Sequence, residues 1–402
     1  MLVLGLNYAP EHTGIAPYTA GMVRGLSRDH DVQVVTAHPH YPAWQISAGY
    51  GSWRQDERDG DVAVRRLRHY VPANPTGPTR VLSEVSFAAR VLASGVRRPH
   101  VVITVSPALL PVLSARAMAK RWDVPLGVVV QDLYSRAMVE VGLLGGRSGG
   151  PATRLESLAL KSADGLVAIH ERFAQTMVDH LGVDRGRITV IPNWTHVQPP
   201  TGHREETRRR LGWGSETVVL HAGNMGAKQG LEHVVDAATL ADHSDDRLRV
   251  VLMGNGNQRS NLERRAQSSR SIDIIDGVPD SEFTDVLAAA DVLLLHERPG
   301  VVEMCVPSKL TSYFAAGRPV LAATSARSAA AHEIHASGAG TVVEPGNPAA
   351  LLEALRALTG QPALDKMGQR GQTYARDQLS ETKALDAYRG WVDGLLSRAD
   401  RR

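Results

Sequence analysis

Val306-Pro307-Ser308-Lys309-Leu310-Thr311-Ser312-Tyr313-Phe314-Ala315-Ala316-Gly317-Arg318-Pro319-Val320 reads as a loop, a short helix, a Gly-Arg-Pro turn and the strand Val320-Leu321-Ala322. A loop that feeds a helix and then an apolar strand is one unit of an α/β sheet. The start of a helix already carries partial positive charge and free amides. Lys309 in the first turn therefore adds little to helix stability and favours an anion nearby. Two readings stay open for it: an ammonium that snorkels into solvent, or part of a diphosphate seat.

Outward from that unit the same alternation continues. In the first half, apolar strand-like runs fall at 1–7, 31–37, 61–68, 100–105, 125–130, 164–169 and 187–191, with helical segments at 14–28, 79–95, 107–121 and 170–182. In the second half, strands fall near 216–222, 247–253, 271–275, 291–296, 319–323 and 340–343. This pattern predicts parallel sheets covered on both faces. The proline-rich stretch Ile191-Pro192-Asn193-Trp194-Thr195-His196-Val197-Gln198-Pro199-Pro200 has no periodicity and reads as a linker. The expected organisation is two Rossmann-like domains facing a central cleft, at 1–192 and 193–375, with a helical tail at about 376–402 packing back onto the first.

Composition narrows the class. The 402 residues suffice for two domains; 43% hydrophobic and 22% charged residues are ordinary for a globular chain, and the net charge of +3 does not indicate nucleic acid. The single cysteine, Cys305, excludes an intrachain disulfide and a cysteine-rich metal site, which fits a reducing cytoplasm. It reads as a small apolar filler. The opening run Met1–Leu6 is too short for a secretory h-region and reads as a first strand; no apolar run reaches the ~20 residues of a membrane span.

Open parallel sheets bind ligands at the carboxyl ends of their strands, so the chemistry is sought there. Strand Val218–Ala222 runs into Gly223-Asn224-Met225-Gly226-Ala227-Lys228-Gln229-Gly230, where Lys228 can meet phosphate oxygens. The strand ends at Gly254-Asn255-Gly256-Asn257 and Asp276-Gly277-Val278-Pro279 suit a flat pocket for a base edge. Glu297 and Glu303 precede the Lys309 helix; either is a hydroxyl acceptor or a solvated loop charge. In the first half, strand one ends in Tyr8-Ala9-Pro10-Glu11-His12-Thr13-Gly14, and Gly14 is expected to open a helix with free amide donors. Asp132, after Leu126–Val130, is either a strand-end catalytic residue or a helix cap. His38 and His40, with Tyr41, lie two apart in a proline loop and lack a third metal ligand, so sugar or acceptor contacts are the functional reading. Arg65, Arg66, Arg68, His69, Arg80, Arg90, Arg97, Arg98, Arg116, Lys120 and Arg121 make the first half locally basic. They read as a solvated face or as a patch resting on an anionic leaflet.

Together these segments resemble glycosyltransferase family 4, retaining enzymes of the GT-B fold, of the bacterial colanic-acid and O-antigen type. The matching stretches are Tyr8-Ala9-Pro10-Glu11 with Gly14, His38-Pro39-His40-Tyr41-Pro42, Gln131-Asp132-Leu133-Tyr134, Ile191-Pro192-Asn193-Trp194, Ala222–Gly226, Gln229–Glu232, Pro307–Leu310 and Ala315–Val320. The resemblance implies a nucleotide-sugar donor (UDP or GDP) on the second domain and a glycan or lipid-linked acceptor on the first, with no cofactor, no metal and no nucleic acid. It implies that Lys228, Lys309 and Asp132 serve catalysis. Gly14, Gly223, Asn224, Gly254, Val278, Glu303, Pro307 and Ser308 would line the donor, and Glu11, His12, His38, His40 and Tyr41 the acceptor. The chain departs from the family where Asn224 replaces an arginine, Gln229 a lysine and Ser312 the second of two paired glutamates. Two rival readings follow: a sugar-nucleotide 2-epimerase on the same fold, or a non-catalytic nucleotide-sugar-binding protein. A dinucleotide dehydrogenase is disfavoured, because no strand leads into Gly-x-Gly-x-x-Gly.

Overall fold

A computed structural model describes residues 1–12, 14–73, 77–106, 108–133, 150–195, 197–244, 247–300 and 308–399. The chain forms two compact units, Met1–Asn193 with Thr382–Arg402, and Trp194–Glu381.

The first unit holds an eight-stranded sheet: β1 (Leu2–Gly5), β2 (Gln33–Ala37), β3 (Arg54–Asp59), β4 (Val62–Leu67), β5 (Val102–Ser106), β6 (Leu126–Val130), β7 (Gly165–Ala168) and β8 (Ile188–Val190). Their spatial order is β3-β4-β2-β1-β5-β6-β7-β8. All pairs are parallel except β3 with β4. The parallel sheet is as expected; the antiparallel edge strand β3 is an addition that the sequence did not reveal. Its sequence, Arg54-Gln55-Asp56-Glu57-Arg58-Asp59, contains no apolar residue to show a strand period. Charge on an edge strand also blocks pairing with a further strand.

The first-unit helices are α1 (Ala16–Leu26), α2 (Gly77–Leu92), α3 (Leu109–Trp122), α4 (Gly150–Lys161) and α5 (Glu171–Asp179). The second unit carries β9 (Thr217–Ala222), β10 (Leu248–Met253), β11 (Ile272–Ile275), β12 (Val292–His296), β13 (Val320–Ala323) and β14 (Gly340–Val343), in the order β11-β10-β9-β12-β13-β14 and all parallel. Its helices are α6 (Arg204–Arg210), α7 (Glu232–Ala241), α8 (Arg259–Ala266), α9 (Asp280–Ala289), α10 (Ser308–Ala316), α11 (Ala329–Ser337), α12 (Pro348–Thr359) and α13 (Leu364–Gln378). Val218, Leu220 and Ala222 pack into one core cluster and Val219 into another, and the same split runs through β10, β12 and β13. Burial on both faces explains the continuous apolar runs that marked these strands in the sequence.

The final helix, α14 (Glu381–Ala399), belongs from Thr382 onward to the first unit. It lies directly on that unit's sheet at Gly127. A Cβ there would stand 2.5 Å from Trp391 Cη2, so only glycine permits the approach. Trp391, Val392 and Leu395 are buried in consequence. No helix among the described residues is long and apolar enough to cross a membrane.

Candidate active site

The second sheet has the doubly wound order in which the chain reverses direction between β9 and β12. In such sheets the crevice beyond the strand ends at the reversal is the place for a ligand. Here β9 ends at His221-Ala222 and β12 at Leu295-His296. Lys309, in the first turn of α10, reaches the same point: its Nζ lies 3.1 Å from His221 Nε2. Gly223 makes room for it. Its φ is +123°, and a Cβ would stand 2.9 Å from Lys309 Cε.

The loop after β9 is tied to the loop after β10 by main-chain hydrogen bonds. Met225 N donates to Asn255 O at 2.8 Å and Gln258 N to Met225 O at 2.9 Å. Gln229 accepts from Gly226 N through Oε1 at 3.0 Å, so the residue that stands where the family has a lysine caps the loop instead. Asn224 and Lys228 are exposed on this loop. Gly254 rests against the Gly223 carbonyl, and its own carbonyl accepts from Arg259 Nη1 at 3.0 Å. Val278 packs, half-buried, against the core cluster behind it. Glu297 accepts from the Thr324 hydroxyl. Glu303, Cys305 and Pro307 lie outside the described residues, as does the side chain of Ser308. His296, which was not singled out from the sequence, is buried with Nδ1 2.7 Å from Gln229 O, and burial pushes its imidazole down to about 4.

The corresponding reversal in the first sheet lies between β1 and β5. The loop after β1 curls so that the buried Glu11 carboxylate accepts from His40 N at 2.8 Å, Tyr41 N at 2.9 Å and Asn7 Nδ2 at 2.8 Å. Glu11 thereby fastens the loop after β1 to the loop after β2. His40 donates through Nδ1 to His38 O at 2.9 Å, and His38 Nε2 lies 2.8 Å from Ser52 O. Both imidazoles are buried, whereas His12 and Tyr41 are exposed. Gly14 has φ +66° and lies against the Tyr41 ring; helix α1 begins after it, at Ala16, rather than at Gly14 itself. Asp132 is half-buried; burial first and the Asp132 charge among the others push the Tyr41 phenol upward.

Two members of the basic group do not lie on the surface. Arg66 is 2% exposed, paired with Glu57 and donating to Ala9 O and Ala37 O. His69 is 8% exposed, with both ring nitrogens buried and lacking a hydrogen-bond partner among the described residues. Its ring stands edge-on to His40 at 5.1 Å, and burial pushes it down to about 3, so it is neutral at pH 7. Beside this cluster, Glu84 of α2 accepts from Leu109 N at 3.1 Å, and burial raises its carboxyl to about 7. The sequence reading placed His69 in the basic group and did not single out Glu84, because a buried histidine or glutamate has no periodic signature of its own.

Comparison with known proteins agrees with this architecture. A family described as "Glycosyl transferase 4-like domain" matches residues 13–194, and one described as "Glycosyl transferases group 1" matches residues 216–361. WcaI of Escherichia coli (strain K12), described as a colanic acid biosynthesis glycosyl transferase, is 31% identical over 333 residues, covering 79% of this chain and 81% of its own. This chain belongs to glycosyltransferase family 4. As a glycosyltransferase it is an enzyme, and its solved structural neighbours have the same GT-B fold. Sucrose-phosphate synthase from Thermosynechococcus elongatus superposes with a TM-score of 0.79 at 14% identity, covering 99% of this chain and 100% of that one. HepE from Anabaena, solved in complex with UDP-glucose, superposes with a TM-score of 0.70 at 14% identity, covering 98% of this chain and 100% of that one.

Proposed function

We propose that this glycosyltransferase moves a sugar from a nucleoside diphosphate sugar to a hydroxyl of a glycan or lipid-linked acceptor, with retention at the anomeric carbon. The carrying observation is the second unit's crevice, where Lys309 stands at the end of β9 beside a glycine loop. UDP-glucose bound to the structural neighbour HepE supports a donor of that chemical class. Retention rests on family membership.

The bond from the anomeric carbon to phosphate oxygen breaks while the bond to the acceptor oxygen forms. The acceptor's proton leaves on the departing diphosphate. Negative charge grows on that diphosphate, and a preorganised ammonium favours the charged state most in a water-poor site. On this reading Lys309 meets the diphosphate with Lys228, while Asn224, Gly223, Gly254, Val278, Glu303, Pro307 and Ser308 line the donor. Neither a cofactor nor a metal is invoked. Gly14 and Asp132, at strand ends of the first unit, are assigned to the sugar by family resemblance. His12 and Tyr41 contact the acceptor directly, whereas Glu11, His38 and His40 shape the loop that presents them.

Thermal-shift titration against UDP- and GDP-sugars is the direct test. A ligand at 100 times its Kd adds about 2.7 kcal/mol of stability. A shift with one nucleotide series names the base; no shift with any nucleoside diphosphate sugar overturns the reading. Turnover of donor alone into an epimer would favour the epimerase instead.

A second observation concerns where the acceptor is met. Helix α2 buries Ser83, Glu84, Phe87, Ala88 and Val91 and exposes Pro78, Val81, Leu82, Val85, Ala89 and Leu92. Val81, Leu82, Val85 and Leu92 are 42–53% exposed. The outward face is therefore an apolar stripe of about 100°, not the polar face expected of a solvated helix. Nearby, Trp53 is 68% exposed, and the Arg90 guanidinium lies 3.6 Å from its ring centre. Apolar side chains with flanking arginines suit the surface of an anionic bilayer, so we propose peripheral contact there. Vesicles containing an anionic lipid should co-sediment the wild-type protein and release Leu82→Ser/Val85→Ser; equal sedimentation of both proteins removes the proposal.

A further inference from the structure

We propose that His221 is a positioning residue for glycosyl transfer: held in one tautomer by the β12 backbone, it fixes the Lys309 ammonium at the end of β9 without cancelling its charge. The inference rests on Lys309 meeting the donor diphosphate, as proposed above.

His221 is fully buried at the end of β9. Its Nδ1 lies 3.1 Å from the carbonyl oxygen of Leu294 on the neighbouring strand β12. Only a protonated Nδ1 can hydrogen-bond that carbonyl, which leaves the lone pair on Nε2. The Lys309 Nζ stands 3.1 Å from Nε2, and an ammonium has only donors to offer. The two contacts therefore demand the same tautomer, protonated at Nδ1 and accepting at Nε2. A hydrogen bond with the Asn224 backbone also favours the protonated ring, but it is outweighed by burial and the Lys309 charge.

The carbonyl that selects the tautomer is itself held. Tyr313, buried on α10 one turn beyond Lys309, donates from Oη to Leu294 O at 3.3 Å and accepts from Ala222 N at 3.0 Å. One helix thus supplies both the lysine and the phenol that steadies its support. Burial, followed by the Lys309 charge, pushes the imidazole well below its ordinary range, which favours the neutral ring.

Neutrality explains the choice of residue. A glutamate at this position would hold the lysine more tightly, but it would offset the charge meant for the diphosphate, and burying it would cost more. An apolar residue would remove this contact and leave the position of the ammonium at the strand end less sharply defined. Gly223 completes the arrangement by leaving space for the lysine stem.

The test is a double-mutant cycle on the full chain, read as donor kcat/KM. His221→Leu in the wild-type background should lower it about tenfold to a hundredfold, and by less than about threefold when Lys309 is already alanine, because directly contacting residues couple. His221→Gln, whose amide oxygen can accept from the ammonium, should recover most of the loss. Equal losses in both backgrounds, or a wild-type rate for His221→Leu, would overturn the proposal. A wild-type rate for Lys309→Ala would instead strike at the phosphate reading itself, so the two failures are distinguishable. Nitrogen-15 NMR of the wild-type protein needs no variant to fold: His221 should be protonated at Nδ1 and bare at Nε2 throughout neutral pH. The opposite tautomer refutes the idea.

Discussion

The two sheets reverse direction in the same way but spend their charges differently. At the β9–β12 reversal the principal charged side chain is Lys309, steadied by a neutral histidine beside a loop held by main-chain bonds. At the β1–β5 reversal the principal charge is Glu11, and its carboxylate is occupied by two amides and the Asn7 side chain. On the proposed reading one end offers its charge to a ligand, whereas the other uses its charge to build a loop. The first therefore suits an anion. The second suits a molecule recognised through hydroxyls, presented to His12 and Tyr41.

Substitutions can break this contrast. Lys309→Ala should have the largest effect, lowering kcat by about a hundredfold or more, the magnitude associated with losing one preorganised donor to a developing anion. Steady-state kinetics with the fold checked by circular dichroism decides it, and Lys228→Ala, from an exposed position, should cost about tenfold. Glu11→Ala should act on the other end and differently. It strands two buried amides, so thermal unfolding should show a loss of about 3 kcal/mol, with acceptor KM raised and donor KM unchanged. An unchanged acceptor KM would remove the loop's assigned role. Gly223→Ala places a Cβ against Lys309 Cε at a positive φ and should weaken donor binding about tenfold while leaving acceptor KM alone.

The smallest expected effect is in pH dependence. Burial raises Glu84 to about 7 from its ordinary value of 4.5. Between those values the folded protein binds more protons than the unfolded chain, so this residue's contribution to stability is greatest below about 4.5 and is lost as pH rises through about 7. Glu84→Gln should flatten the fall in melting temperature across that window. An unchanged slope would show that Glu84 ionises no differently in the folded protein.

Much of the fold was legible before the structure. Strands buried on both faces are continuous apolar runs, and Val218–Ala222 or Leu126–Val130 admit few other readings. The charged edge strand Arg54–Asp59 was not legible, because its order comes from pairing with β4 rather than from burial of its own side chains. Among candidate site residues, Lys309 stood out in the sequence as a cation misplaced for helix stability. The Glu11 clamp was not, since its partners His40 and Tyr41 lie about thirty residues away in sequence.

Local chemistry in the sequence determined the α/β alternation, the glycine loops at strand ends and the presence of a lysine at a helix start. Each is a short-range consequence of periodicity, backbone freedom or the helix dipole. Only the tertiary structure decided which charges are tied into the fold and which stand at the strand ends. Arg66, Glu11 and His221 are ordinary polar residues in a string of letters. Their roles come from partners that the sheet brings together from distant positions, and from burial that makes every unmatched donor or acceptor costly.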